Sequence, residues 1–349
     1  MASATFTGLA WVIATTVAIS RPSIHAGVVA DRAVSMDLIC KRSTLSGPPL
    51  LPQVAMLWIP FTLTAALAQT FRNAMQRDLT TTLGTAGATH VRFLFGLPFA
   101  LVFLCAVTLA TGLAPPLPDA AALGWIATGA CAQILATGLM LASMRARSFV
   151  VTTAYTKTEP VQVALFSLVF LGDSLTPGLV LAIATATAGV LVMSWPQHQS
   201  GEMPSHRPAL LGLVAGAFFA LSAIGFRGGI LRLATPNFVV AASTVLVLGL
   251  LIQSSLILAY LLALDRPVLR AIFRAWRPSL LAGFLGAFAS QFWFLAFAIT
   301  SAARVRTLAL VEVIFAQIIS RKMFRQGVSW RETLGMALIM AGVAILLNG

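Results

Sequence analysis

The chain has 349 residues, of which 58% are hydrophobic and only 9% are charged. Soluble domains carry about 25% charged residues, so this chain cannot cover a soluble surface and most of it must face lipid. The net charge of +13 comes mainly from short loops between apolar runs, where lysine and arginine set membrane topology. The charge therefore does not indicate nucleic acid as a partner.

Residues 1–53 differ from the rest of the chain and are interpreted as an N-terminal extension. An apolar run, FTGLAWVIATTVAIS, is followed by a polar, turn-rich segment. No basic residue precedes the run, whereas a signal peptide needs a basic start and a small-residue cleavage site. Three interpretations stay open: a disordered or mis-started extension with Met56 as the alternative start, an additional helix, or a cleaved signal.

Ten apolar segments follow this extension. Each has about the 20 residues that a helix needs to cross a hydrocarbon core about 30 Å thick. The polar segment PQHQSGEMPSHRP separates the fifth from the sixth, so the chain divides into halves 54–195 and 208–349, joined by the loop 196–207. The predicted spans are 54–75, 86–110, 122–143, 149–171, 175–195, 208–230, 236–264, 278–300, 304–324 and 330–348.

The two halves repeat each other in sequence. A shift of 153 residues places Glu159 on Glu312 and the tripeptide AGV at 188–190 on AGV at 341–343. Likewise, FRNAMQR near the start of one half matches FRGGILR in the other, which sets Arg72 opposite Arg227. Because five spans is an odd number, successive copies must cross the membrane in opposite orientations. The prediction is an all-α membrane protein with ten transmembrane helices arranged as two inverted five-helix repeats, an architecture of secondary transporters.

Glu159 and Glu312 are the first candidates for a substrate or coupling site. A glutamate near a helix start can simply sit at headgroup level or favour the N-terminus of the helix, and Pro160 suits that interpretation of Glu159. Glu312 has apolar neighbours on both sides and is expected to lie deeper. A carboxyl removed from water holds its proton at higher pH than an exposed one, as coupling to a proton gradient requires.

Two basic residues within the predicted spans are further candidates. Lys157 is two residues from Glu159, so the two point to different sides of a helix, and its long stem could reach the membrane surface instead. Arg92 lies inside the second span without a counterpart in the seventh. We expect it to contact Glu159, Glu312 or backbone carbonyls. Pro98 should kink its helix.

Gln133 and Gln291 occupy similar places in the two halves. With Trp293, they could line a cavity, and Tyr155 is a further candidate. The alternative is that the two amides form interhelical hydrogen bonds worth about 0.6 kcal/mol. No metal site and no cofactor is predicted.

The repeated element resembles the EamA domain of the drug/metabolite transporter superfamily. The resemblance is carried by a Glu-Pro helix start, then LGDSLTP, then a helix that ends in AGVLVMSW. Residues 149–195 and 304–348 show this pattern, and VRFLFGLPFA in the second span is similar to the arginine-bearing helix of that family. The resemblance implies ten helices in two inverted repeats and alternating-access movement of small metabolites, often outward.

The chain departs from the family pattern at one turn. Asp173 stands where the family usually has a glutamate, and Gln326 replaces the acid in the second copy. Its loss there favours a helix-capping role for this acid over proton transfer.

Basic residues are unevenly distributed between the two sets of loops. By the positive-inside rule, thirteen cations against four would leave the ends of the ten-helix core facing outward. The larger set is Arg72, Arg77, Arg145, Arg147, Arg207, Arg266, Arg270, Arg274, Arg277, Arg321, Lys322, Arg325 and Arg331, and the smaller set is Arg227, Arg232, Arg304 and Arg306.

The predicted function is secondary transport of a small organic solute, with proton-coupled export by alternating access as the leading hypothesis. The absence of a phosphate-binding GxxxxGK[ST] loop argues against an ATP-driven pump, and an enzyme is not expected. The alternative is an uncoupled facilitator or exchanger. The expected partners are the solute, membrane lipids and protons, the location is the bacterial inner membrane, and the protein is a monomer or homodimer.

Overall fold

The computed structural model describes residues 52–146, 156–193, 207–315, 317 and 330–348. Every regular element in those ranges is a helix. The predicted N-terminal extension, apart from its last two residues, and nearly all of the loop 196–207 lie outside them.

The helices carry labels in chain order. A single turn, Pro52–Ala55, precedes the first, a π-helical turn, Ser167–Leu171, continues the fourth, and residues 311–315 are also helical. The labelled helices are α1 (Trp58–Leu94), α2 (Leu97–Thr111), α3 (Ala120–Ala146), α4 (Glu159–Phe166), α5 (Pro177–Met193), α6 (Arg207–Arg232), α7 (Phe238–Leu264), α8 (Arg266–Arg274), α9 (Trp276–Ile299), α10 (Ala302–Leu308) and α11 (Trp330–Asn348).

Six helical stretches in the described part are long and apolar enough to cross a bilayer. They coincide with the second, third, sixth, seventh, eighth and tenth predicted spans. The fourth and fifth predicted spans correspond to two shorter apolar helices, Glu159–Leu171 and Pro177–Met193, and the count of ten stays a prediction. The six stretches are Asp78–Thr111, Ala120–Ser143, Leu210–Arg232, Phe238–Leu264, Trp276–Ile299 and Trp330–Asn348.

The chain reverses direction inside α1, at Gly84. Its φ of 68° and ψ of −179° fall in a region that is essentially open to glycine alone. The amide of Gln76 donates to the carbonyl of Ala88 at 3.1 Å, whereas twelve residues of straight helix would separate the two by about 18 Å. The first two predicted spans are therefore distinct, but helix replaces the expected loop between them.

The second predicted span is interrupted where Pro98 was expected to kink it, and that expectation is confirmed. α1 ends at Leu94 and α2 begins at Leu97 with the proline in its first turn, because proline lacks an N–H and its ring clashes with the carbonyl four residues earlier. Gly283 of α9 packs against this break, since a Cβ there would lie 2.5 Å from the Phe95 carbonyl carbon.

Three helix pairs, α1–α9, α3–α6 and α5–α11, form much of the bundle. In the last pair, a Cβ on Gly189 would lie 2.6 Å from the carbonyl oxygen of Gly335, and one on Gly342 would lie 2.9 Å from that of Ala182. The small residues of ATATAGV, at 184–190, therefore allow close approach of the two helices.

Three arginines that the sequence analysis assigned to loops are buried inside helices. Arg72, Arg227 and Arg306 are only 1%, 9% and 8% exposed. Without these three arginines, the topology count is twelve cations in one set against Arg232 and Arg304 in the other. The corrected asymmetry is larger and favours the same orientation.

Candidate functional site

A polar cavity of about 50 Å³ lies inside the bundle, among α1, α3, α6 and α9, the start of α4 with the residues just before it, and α10 with the residues just after it. Since one water needs about 10–15 Å³ of such space, the cavity holds only a few waters in this state. The lining residues are Gln69, Thr70, Arg72, Asn73, Arg92, Gln133, Met140, Thr156, Lys157, Glu159, Phe219, Trp293, Arg306, Glu312 and Val313.

Glu312 lies just inside the helical residues 311–315 and is 4% exposed. Lys157 Nζ is 2.5 Å from one carboxylate oxygen and forms a salt bridge with it. The amide of Gln69 donates to the same oxygen at 2.8 Å, and that of Asn73 donates to the other at 3.2 Å. The side chain of Lys157 therefore does not reach the membrane surface. Both oxygens of the buried Glu312 carboxylate accept from side-chain donors.

Glu159 opens α4 and is also buried, but its surroundings differ. Arg306 Nε approaches its carboxylate at 3.1 Å, yet the angle is not that of a hydrogen bond. The guanidinium instead lies over the ring of Trp293 at 4.6 Å and near that of Phe297 at 5.4 Å. Glu159 Oε1 is thus paired by charge but has no hydrogen-bond donor among the described residues, unlike the oxygens of Glu312.

Arg92 does not form the carboxylate contact that we expected. Its Nη1 donates to the hydroxyl of Thr137 at 3.2 Å, and the guanidinium lies 5.2 Å from the Phe93 ring. The salt bridges of Glu159 and Glu312 within the described residues are to Arg306 and Lys157, which leaves Arg92 without an acidic partner there.

Arg72 is the most completely buried charge in the cavity wall, with 1% exposure. One nitrogen, Nη2, donates to the side chain of Asn73 at 2.7 Å. Its Nε and Nη1 have no hydrogen-bond partner among the described residues. The nearby carboxylate of Glu312 attracts it, but both oxygens of that carboxylate already accept from other side chains.

The cavity brings together six of the eight candidate residues, namely Arg92, Gln133, Lys157, Glu159, Trp293 and Glu312. Gln291 lies elsewhere, and its amide donates to Ser243 of α7 at 2.9 Å. Gln133 accepts from the amide of Gln253 at 2.9 Å. The interhelical hydrogen-bonding interpretation therefore applies to the NH2 group of Gln291 and to the oxygen of Gln133. Tyr155 lies outside the described residues.

Sequence reasoning missed Gln69, Arg72, Asn73 and Arg306 as members of this cavity. The first three lie at positions i, i+3 and i+4, which share one face of a helix. A polar face inside an otherwise apolar span was the signal that could have found them. Gln69 also accepts from the indole Nε1 of Trp293 at 3.1 Å, so one amide links the tryptophan to Glu312.

Asp173 has a different role from the helix cap that was expected. It follows the C-terminal end of the π-helical turn and accepts from Arg227 Nη1 at 2.8 and 3.0 Å. The backbone N–H of Leu179 instead donates to the hydroxyl of Thr176 at 3.2 Å, so the threonine caps α5. The capping interpretation is wrong because the acid faces α6 and its arginine.

Comparison with known proteins bears on the second half of the chain. Residues 206–348 match the EamA-like transporter family. The second half is therefore similar to an EamA-like domain. The resemblance read from the sequence motifs is thereby confirmed for this half, and together with the six apolar helices it supports an integral, multi-pass membrane protein.

The other comparisons concern fold alone. No curated protein matches the chain. Among solved structures, 28 chains match. A crystal structure of one protein is 14% identical and superposes with a TM-score of 0.60, covering 84% of this chain and 98% of that chain. At that identity the likeness supports a shared arrangement of helices.

Proposed function

We propose that this protein is a proton-coupled secondary transporter that exports a small organic metabolite or drug-like solute by alternating access. The observation that carries the proposal is the buried cavity lined by two glutamates and four basic side chains in a bundle of apolar helices. Ionisable groups inside a membrane protein are costly and commonly mark a substrate or ion pathway.

The proposed architecture is the one predicted from sequence, with ten helices in two inverted five-helix repeats. Atomic contacts between α5 and α11 support it. A Cβ on Gly189 would meet Ile339 N at 2.8 Å, and one on Gly342 would meet Ala186 N at 2.7 Å. Adding 153 to 186 and 189 gives 339 and 342, so the shift that aligns the repeats also exchanges these contacts, as a two-fold axis requires.

The direction of the helices supports inversion of the two copies. Gly189 approaches Gly335 while Ala182 approaches Gly342, so the fifth helix of one copy runs antiparallel to the fifth helix of the other. Alternating access then follows from rocking of one repeat against the other around a fixed central site. The cavity, which holds only a few waters, would widen toward one side of the membrane at a time.

Glu312 is proposed as the proton-coupling group. As a carboxylate, it accepts from Lys157, Gln69 and Asn73. A proton taken up from one side would remove the charge that holds Lys157 and loosen the contact between α1 and the chain around 157 and 312. Loss of the proton to the other side would restore the salt bridge, so protonation biases the two arrangements of the repeats.

The test is solute efflux from proteoliposomes with an imposed pH gradient. Glu312→Gln keeps the shape of the side chain but cannot ionise, and we expect efflux that no longer responds to the gradient. Asp78→Asn, at an exposed residue, is the matched control and should behave as wild type. Unchanged pH-driven efflux by the Glu312→Gln variant would remove this residue as the coupling group.

The alternative is an uncoupled facilitator or exchanger, in which the carboxylates only bind solute or hold helices together. Flux that follows the solute gradient alone, indifferent to pH and membrane potential, would favour it. Both versions place the protein in the bacterial inner membrane as a monomer or homodimer, without an enzymatic reaction.

A further inference from the structure

The charges that line the cavity do not balance. Four basic side chains, Arg72, Arg92, Lys157 and Arg306, face two carboxylates. Glu312 pairs with Lys157 and Glu159 pairs with Arg306. With both carboxylates ionised, Arg72 and Arg92 leave an excess of two positive charges in the wall of the site.

The excess cannot be removed by deprotonation, because a guanidinium stays charged in proteins. Acidic residues elsewhere in the described part of the chain do not provide partners either, because neither arginine forms a salt bridge with a carboxylate there. The stretches next to the cavity in sequence that lie outside the described residues, 147–155, 316 and 318–329, contain no aspartate or glutamate.

The two arginines are neighbours on one wall. A Cβ at Gly286 of α9 would lie 3.1 Å from Arg92 Cγ and 3.6 Å from Arg72 Cδ. The absence of a side chain at this position lets both stems pass along the helix. Because both stems pass within 4 Å of the same point of α9, the two guanidiniums can reach one small ligand.

Arg72 also has unused donors. Its Nε and Nη1 are buried without a partner among the described residues, although a buried charge normally has its hydrogen bonds satisfied. A guanidinium with free N–H groups in a fixed plane matches the geometry of a carboxylate or a phosphoryl group. Burial of these unpaired N–H groups costs free energy while the site is empty. A bound oxyanion would accept from them and offset that cost.

We propose that the transported solute is a small organic dianion, bound through its oxyanion groups by Arg72 and Arg92. This inference deepens the proposed function, and it depends on that proposal for the claim that the bound solute is transported. It follows that a cationic solute is rejected, because it would add to the charge excess, and that a neutral solute would leave the two guanidiniums uncompensated.

The experiment compares four probes that share a four-carbon chain and differ in end groups: succinate, butyrate, butane-1,4-diol and butane-1,4-diamine. Binding to the purified full-length protein is followed by the rise in Tm at constant ionic strength, since a ligand stabilises the state that it binds. We expect succinate to raise Tm most, butyrate less, and the diol and diamine not at all. Methyl phosphate is added to distinguish phosphoryl from carboxylate recognition, and stabilisation by either dianion supports the proposal.

Variants assign the effect to the two arginines. Arg72→Gln and Arg92→Gln should each raise the Kd for the dianion about 10- to 100-fold, as expected for loss of a charge-assisted hydrogen bond. The lysine variants should retain part of the affinity, because they keep the charge but lose the planar fork. Arg274→Gln, at an exposed residue of α8, should leave binding unchanged.

The proposal is overturned if the diol or the diamine stabilises as much as succinate does. It is equally overturned if no dianion stabilises a folded sample, or if the double variant Arg72→Gln/Arg92→Gln keeps the succinate effect. These readouts are independent of flux. Dianion binding without pH-dependent efflux would refute only the proposed proton coupling. Efflux of a cation driven by the pH gradient would refute only the proposal that the solute is a dianion.

Discussion

Arg72 and Arg227 occupy matching positions in the two halves of the sequence but have different surroundings. Arg227 donates twice to Asp173 and also, through Nε, to the carbonyl of Thr300 at 3.1 Å. Arg72 has one side-chain acceptor, Asn73, and no acidic partner among the described residues. The repeat alignment offers a reason, since the shift of 153 that matches the halves sets Gln326 opposite Asp173.

The comparison shows how a duplicated unit can divide two roles between equivalent residues. Arg227 of the second half ties α6 to the turn after α4 of the first half through Asp173, and the fold uses its donors. The residue of the second half that is equivalent to Asp173 is Gln326, and Arg72 of the first half faces the cavity with unused donors. A charge whose partner is lost becomes available to a ligand, at a cost to the stability of the empty protein.

The largest expected effect is on the free energy of unfolding, which should respond differently to substitution of Arg227 and of Arg72. Arg227→Gln should lower the free energy of unfolding by about 2 kcal/mol, between the values for surface and buried ion pairs, because Asp173 would be left partly buried without its partner. Arg72→Gln should leave stability unchanged or raise it, since it removes a buried charge without an acid partner. Thermal unfolding of both variants in detergent measures the difference.

A double-mutant cycle sharpens this comparison. Asp173→Asn should also destabilise the protein, and the double variant with Arg227→Gln should lose less than the sum of the two single losses, because the residues contact each other. If Arg72→Gln destabilised the protein as much as Arg227→Gln, the two arginines would share a structural role and the contrast between the halves would fail.

The next effect concerns the contact between α5 and α11, where equivalent glycines of the two halves make equivalent contacts. Gly189→Ala and Gly342→Ala should each cost about 1–3 kcal/mol, the usual range for overpacking, because each new methyl would press on the backbone of the facing helix. Gly138→Ala is the control: a Cβ there meets no atom within 4 Å, and alanine in a helix is favoured over glycine by up to about 1 kcal/mol.

Equal losses at Gly189 and Gly342 would support the proposed two-fold relation between α5 and α11. A large loss at one position with none at the other would show that the contacts are not equivalent in solution. Tm values of the three variants in one detergent give the answer directly.

The sequence predicted features that depend on local rules. Pro98 indicated the break between α1 and α2, and the Glu159-Pro160 pair indicated the start of a helix. Each follows from the chemistry of one residue and its neighbours along the chain. The same holds for Glu312, whose apolar flanks indicated a buried carboxyl.

What the sequence could not supply is partnership across long separations. Lys157 and Glu312 are 155 residues apart, and nothing in either neighbourhood specifies the other. Arg72 and Arg306 were assigned to loops because they lie near the ends of their segments, although the helices continue past them. Which face of each helix points to the cavity depends on packing between halves, and a single sequence does not record it.

The smallest predicted effect concerns Gly286, which lies next to the side chains of both Arg72 and Arg92. Gly286→Ala places a methyl 3.1 Å from Arg92 Cγ and 3.6 Å from Arg72 Cδ, so the side chains must shift slightly while both charges remain. We expect a Kd for succinate that is weakened by about tenfold or less, the equivalent of up to about 1.4 kcal/mol, with Tm of the empty protein nearly unchanged. Gly124→Ala, where a Cβ meets no atom within 4 Å, should bind succinate as wild type does. Undiminished binding by Gly286→Ala would show that the anion does not depend on the positions of these two stems, and would shift the site toward Lys157 and Arg306.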